Sequence, residues 1–131
     1  MLFVNRLQRG IDQSWTLVNF YKKLQAKANN PVYREYIVQA ERDKRKHCEL
    51  LQYAYYLLTG KYHSLEKQNR DFSTFREGVL MALKSELKEA EYHRELLMES
   101  AGRTVYKPIF LIMVDAPANA VRFSCIYNAL K

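Results

Sequence analysis

The chain has 131 residues, 48% of them hydrophobic and 27% charged, with only 4 Gly and 3 Pro, which is the make-up of one ordinary globular domain. Its 21 Lys and Arg against 14 Asp and Glu leave a formal charge of +7, yet the two signs alternate along the chain, which excludes a disordered tail or a polybasic arm. Two cysteines, Cys48 and Cys125, neither in a C-x-x-C pair, exclude a disulfide scaffold, a structural zinc site of that kind and thioredoxin-type redox chemistry.

The first ten residues, MLFVNRLQRG, carry Arg6 and Arg9 among a few apolar side chains and lack the apolar core of a secretory signal, so a cytoplasmic location is the expectation. A 3-4 spacing of apolar residues then predicts a helix over roughly 3–28, with the stripe Leu7, Ile11, Ser14, Val18, Tyr21. Asn29-Asn30-Pro31 ends it and opens the next, since Asn caps a helix and Pro suits its first position. The second helix, 31–59, carries Tyr33, Ile37, Ala40, Lys44, His47, Leu51, Ala54 and Leu58, and Thr59-Gly60 stops it. Lys61 to Asp71 is polar and reads as a connection. The third helix, 72–100, carries Val79, Leu83, Glu86, Ala90, His93 and Leu97, and Gly102 follows it. The fourth, 105–130, carries Val105, Ile109, Ile112, Ala116, Asn119, Phe123, Ile126 and Leu130, with Pro117 inside it as an expected kink. The longest apolar run, Ile109 to Val114, falls far short of the roughly 20 residues that cross a bilayer, so no membrane partner is expected. Four amphipathic helices of this length bury their stripes as an antiparallel bundle.

Each stripe is apolar at its ends and polar or small near its middle: Ser14, then Lys44 and His47, then Glu86, then Ala116 and Asn119. Mid-helix positions of an antiparallel bundle share one height, so these six residues form one predicted internal layer. One residue from each of two helices and an i, i+3 pair from each of the other two is the di-metal pattern of ferritin-like bundles. The surrounding sequence resembles that family: Ser14 and Glu86 are each followed seven residues later by an aromatic or imidazole, Tyr21 and His93; Lys44-Arg-Lys-His47 is similar to the Glu-x-x-His helix; and Asp115-Ala-Pro-Ala-Asn119-Ala-Val-Arg-Phe123 is similar to the family's fourth helix. The resemblance covers Leu7 to the C-terminus and implies a ferritin-like, rubrerythrin-like four-helix bundle with an up-down-down-up path and the middle connection as its crossover. The family is common in spore-forming bacteria, which makes a spore-associated role conceivable.

The family's four Glu positions read Ser14, Lys44, Glu86 and Ala116 here, and its two His positions read His47 and Asn119. Two metal ions need several carboxylates to neutralise them, so the expectation is a degenerate centre with no metal or other cofactor and no catalysis. Lys44 is expected to pair with Glu86, the only acid predicted on that face, with Ser14, His47 and Asn119 supplying neutral hydrogen bonds. The alternative is an iron- or manganese-binding oxidoreductase with a rearranged site drawn from His47, Glu86, Glu89 and His93; Asp43 with His47 and Glu89 with His93 are i, i+4 pairs on one helix face. The resemblance also implies association, as a homodimer or with an active ferritin-like partner.

Between Lys22 and His47 eight bases oppose three acids. Lys22, Lys23, Lys27, Arg34, Arg42, Arg45 and Lys46 lie off the core stripe as a basic patch. No aromatic-basic interleaving accompanies them, so a solvated face is preferred to a nucleic-acid site. The cluster Tyr53, Tyr55, Tyr56 and Tyr62 is expected in packing or at a subunit interface.

Overall fold

The structure is a computed structural model that describes residues 2–130. It holds four helices: α1 (Phe3–Ala26), α2 (Pro31–Thr59), α3 (Phe75–Glu99) and α4 (Tyr106–Ala129). Their limits follow local chemistry. Asn30 Oδ1 accepts from the amides of Val32 and Tyr33 at 2.8 and 3.3 Å and so caps α2, with Pro31 in its first turn. Gly60 ends α2 at φ 72°, a left-handed conformation that costs glycine nothing. Thr74 caps α3 through the Glu77 amide at 3.1 Å, so this helix begins three residues later than its apolar period suggests.

Contacts fix the path. Arg6 meets Glu95 at 2.8 Å while Tyr21 meets Glu86, so α1 and α3 run antiparallel. Asp43 meets Arg122 at 3.0 Å and Lys46 meets Asp115 at 3.1 Å, so α2 and α4 do too. The pairs α1/α2 and α3/α4 are hairpins, whereas the backbones of α1 and α4, and of α2 and α3, do not adjoin and meet only through side chains such as Tyr21 with Phe123 and Lys44 with Glu86. The bundle is therefore square, with parallel α2 and α3 on one diagonal, and the segment from Gly60 to Thr74 must climb its whole length.

That segment contains no regular secondary structure. Fifteen residues reach about 46 Å when extended, against about 38 Å for a 25-residue helix, so the climb needs no strain. It is pinned along α1 by His63 on Asp12 (3.0 Å), the Gln68 amide on Thr16 Oγ (3.1 Å) and Lys23 on Asp71 (3.3 Å). Phe72 then packs edge-on against Phe20, centroids 5.7 Å apart, and Gly78 leaves room for it: a Cβ there would stand 3.0 Å from the Phe72 ring.

Two apolar clusters fill the bundle. One holds Phe20, Tyr21, Leu24, Ile37, Val79 and Phe123; the other holds Leu7, Ile11, Leu51, Leu96, Ile109 and Ile112. The polar layer lies between them. By length and composition α4 as a whole is apolar enough to cross a bilayer, which the short run Ile109 to Val114 does not convey. In the bundle one face of α4, with Ile109, Ile112, Asn119, Phe123 and Ile126, is buried. The helix is continuous through Pro117, whose missing N–H leaves the carbonyl of Met113 without its i+4 donor.

Candidate functional site: a buried lysine-carboxylate layer

All five residues of the α1 stripe are fully buried, as are Lys44 and His47 on α2, Glu86 on α3 and Asn119 on α4. Ala116 lies within α4, but its side chain is outside what the structure describes. Lys44 Nζ stands 3.0 Å from Glu86 Oε1 and 3.5 Å from Glu89 Oε2, with all three side chains at most 7% exposed. Tyr21 donates a short hydrogen bond to the other Glu86 oxygen. His93 Nε2 is 3.5 Å from Glu89 Oε2, and the His47 and His93 rings meet edge-on with centroids 6.0 Å apart. His47 Nε2 lies 3.7 Å from Asp115 Oδ2, which also holds Lys46. Polar groups thus lie side by side across the bundle from Tyr21 to Asp115, without hydrogen bonds among Glu89, His93 and His47.

Three expectations change. Glu86 is not the only acid inside, because Glu89 is buried beside it. The buried face of α3 runs Val79, Ala82, Glu86, Glu89, His93, Leu96, whereas Leu83, Ala90 and Leu97 are only half-buried. The neutral hydrogen bonds expected of Ser14, His47 and Asn119 are largely absent: Ser14 Oγ, both nitrogens of His47 and Asn119 Nδ2 bond to no protein group, and neither do the nitrogens of His93 or the oxygens of Glu89. Asn119 instead accepts from Arg122 at 2.6 Å. Asp43 does not approach His47; it is held by Arg122 at 3.0 Å and Gln39 at 3.2 Å.

Burial and charge set the protonation states. Burial works against the Lys44 ammonium, but Glu89 and Glu86 together outweigh it and raise its pKa above the usual value. Burial raises both carboxyl groups, and the single ammonium does not fully offset it. Glu86 receives hydrogen bonds from both Lys44 and Tyr21, which favour its charged form, whereas Glu89 has only the longer contact with Lys44. Burial first, and the Lys44 charge second, push His47 down to about 2 and His93 to about 3, so both imidazoles are neutral.

The layer is not sealed. A groove of about 860 Å³ between α1 and α3, beneath the crossover, is lined by Asp12, Thr16, Ser85, Lys88, Tyr92 and, at its inner side, Glu89. Neutral imidazoles and the Glu89 carboxyl offer donors and acceptors suited to water. They do not offer a nucleophile with a base: no hydrogen bond joins Ser14 to a histidine, Lys44 is cationic, and burial pushes the Cys48 thiol up to about 11. Nor do the residues fit the two metal ions of ferritin-like bundles. No group of three or more His, Cys, Asp or Glu side chains among the described residues is arranged to hold a metal, and an ammonium stands among the oxygens that would have to bind one.

The basic residues do not form one free face. Lys23 is paired with Asp71, Arg45 with Glu41 over the Trp15 ring, and Lys46 with Asp115 on the far side of α2. Of the tyrosines, Tyr55 accepts from Gln8, while Tyr56 and Tyr62 stack on each other at the surface. Comparison with protein-family models, curated proteins and solved structures finds no match.

Proposed function

We propose that this chain is a ferritin-like bundle whose central charge is supplied by Lys44 in place of metal ions, and that it acts as a non-catalytic structural or protein-interaction module. The observation that carries this is the position of Lys44 Nζ, 3.0 Å from one buried carboxyl and 3.5 Å from another. The square bundle, its long crossover and the mid-bundle polar layer support the ferritin-like reading. The same layer supports the absence of turnover, because its acid-base groups are arrested: the imidazoles are neutral, and the ammonium is tied to the carboxyls.

A second reading draws on the nitrogens of His47 and His93 and the oxygens of Glu89, none of which makes a hydrogen bond. In it the layer rearranges, Lys44 withdraws, and an iron or manganese oxidoreductase forms around His47, Glu86, Glu89 and His93. Calorimetric titration of the chelator-treated protein with Mn(II) and Fe(II) separates the two. The first reading predicts no saturable binding by the wild type and the appearance of binding in Lys44→Glu, which exchanges the ammonium for a carboxylate three residues from His47 on the same buried face of α2. Stoichiometric binding by the wild type overturns it.

A further inference from the structure

The groove between α1 and α3 bears a charge pattern that the central layer does not explain. Four bases line it: Arg9 from α1, Lys67 from the crossover, and Lys84 and Lys88 from successive turns of α3. All four are exposed, and none takes part in a salt bridge among the described residues. Of the acids in the lining, Asp12 is held by His63 at 3.0 Å and by the Glu66 amide at 3.2 Å, and Glu89 lies at the inner side. Glu66 alone therefore opposes the bases at the mouth. The walls are fixed to one another. Arg70 reaches from the crossover to Ser85 Oγ on α3 at 3.0 Å, and the Gln68 amide donates to Thr16 on α1 at 3.1 Å, so the crossover bridges both helices. Asn5, Gln13 and Thr16 add amide and hydroxyl groups to the lining, whose apolar part is confined to Leu17, Met81 and the Tyr92 ring. The volume of about 860 Å³ falls in the range of small-molecule sites, roughly 300–1,000 Å³.

We propose that this groove binds a small phosphorylated polyol, with its phosphate among the lysines at the mouth and a hydroxyl directed inward to Glu89. The bases give the first half of the inference. Ammonium groups from α3 and the crossover that have no acidic partner attract an anion and donate charge-assisted hydrogen bonds to it, and a phosphate offers oxygens to several at once. Glu89 gives the second half. It is 6% exposed, it lines the groove, and neither of its oxygens makes a hydrogen bond. A carboxylate accepts from a hydroxyl, and a carboxyl that keeps its proton donates to one, so a hydroxyl suits Glu89 in either state. A phosphate placed there would meet a like charge whenever Glu89 is ionised, which orients the ligand with its charge outward. A bare inorganic anion would leave Glu89 without a partner, and a lipid would find little apolar wall. A nucleic-acid strand shares the phosphate chemistry, but the crossover bridges the groove and interrupts the track its backbone would need. The site goes beyond the interaction-module reading and does not depend on it.

Calorimetric titration of the full chain with ribose 5-phosphate, inorganic phosphate and ribose separates the parts of this claim. Ribose 5-phosphate is expected to saturate a single site per chain with a Kd below about 1 mM, inorganic phosphate to bind more weakly and ribose not to register. In the amide spectrum, ribose 5-phosphate should shift Thr16, Ser85 and Glu89. The double variant Lys84→Ala/Lys88→Ala should weaken binding by about tenfold or more, because two charge-assisted hydrogen bonds are lost. Lys22→Ala/Lys27→Ala removes the same charge from exposed positions outside the groove and should leave binding unchanged. Glu89→Ala, with its helical circular dichroism retained, should bring ribose 5-phosphate down to the affinity of inorganic phosphate. The proposal is overturned by a wild type that binds no sugar phosphate, by equal losses in the two lysine pairs, or by ribose 5-phosphate binding no tighter than phosphate. Saturable binding of a single-stranded oligonucleotide without any of ribose 5-phosphate overturns it as well. A metal-free protein that ignores sugar phosphates loses this site and keeps the proposed function, whereas a metal-loaded protein that binds them does the reverse.

Discussion

Lys44 is buried because its neighbours make the alternative worse. Without it, two carboxyls would share a dry layer with no cation at hand, and Glu86 would keep only the Tyr21 hydroxyl. Lys44→Ala should therefore cost about 3–5 kcal/mol, the usual result of breaking a buried pair from one side. Replacing Lys44 and Glu86 together by Met and Gln should cost less than Lys44→Ala alone, as measured by urea denaturation, because the second change removes the stranded charge. The histidines predict the pH response. Unfolded imidazoles take up protons near 6.5, while folded His47 and His93 resist to about 2 and about 3. The unfolded state then binds more protons below pH 6.5, and stability falls on acidification by up to about 1.4 kcal/mol per pH unit for each histidine. The raised carboxyls of Glu86 and Glu89 act in the opposite sense, their contribution being lost as pH rises. Urea midpoints should drop between pH 7 and pH 5, and His93→Gln should make that drop markedly smaller; an unchanged drop would show that His93 titrates normally.

At the scale of elements, how much the sequence discloses depends on what decides each one. The Asn30-Pro31 start and the Gly60 stop of α2 are local events, so the residues announce them and α2 begins and ends where they say. Asn30→Ala should lower stability by about 0.5–2 kcal/mol, read as a shift of the denaturation midpoint, because two amides lose their acceptor. The phase of α3 is different. Both 79-83-86-90-93-97 and 79-82-86-89-93-96 keep to one face, and the larger side chains of Leu83 and Leu97 favour the first. Packing selects the second, since the helix leans its polar edge towards α1 and the crossover. Glu89 thus enters the layer unannounced except by its i, i+4 spacing from His93. Tyr21 was legible as a core residue but not as the partner of Glu86, because nothing in sequence spacing joins α1 to α3. The start of α3 at Phe75 follows from a threonine cap rather than from apolar period.

For the whole molecule, the bundle and its mid-height layer are legible because four stripes change character at corresponding positions. The path is less so: a connection of this length fits a crossover or a slack loop equally, and only the contacts along α1 from Asp12 to Lys23 decide. The charge of +7 also acquires structure. One of its lysines is inside, and several bases are spent on local pairs. What unites these features is the claim that an ammonium has taken the place of metal ions at the centre of the bundle. The most direct test is elemental analysis by mass spectrometry of the full chain, purified without chelators from cells supplied with iron, manganese and zinc. The account predicts well under one tenth of a metal ion per chain; one or two tightly held ions per chain would contradict it.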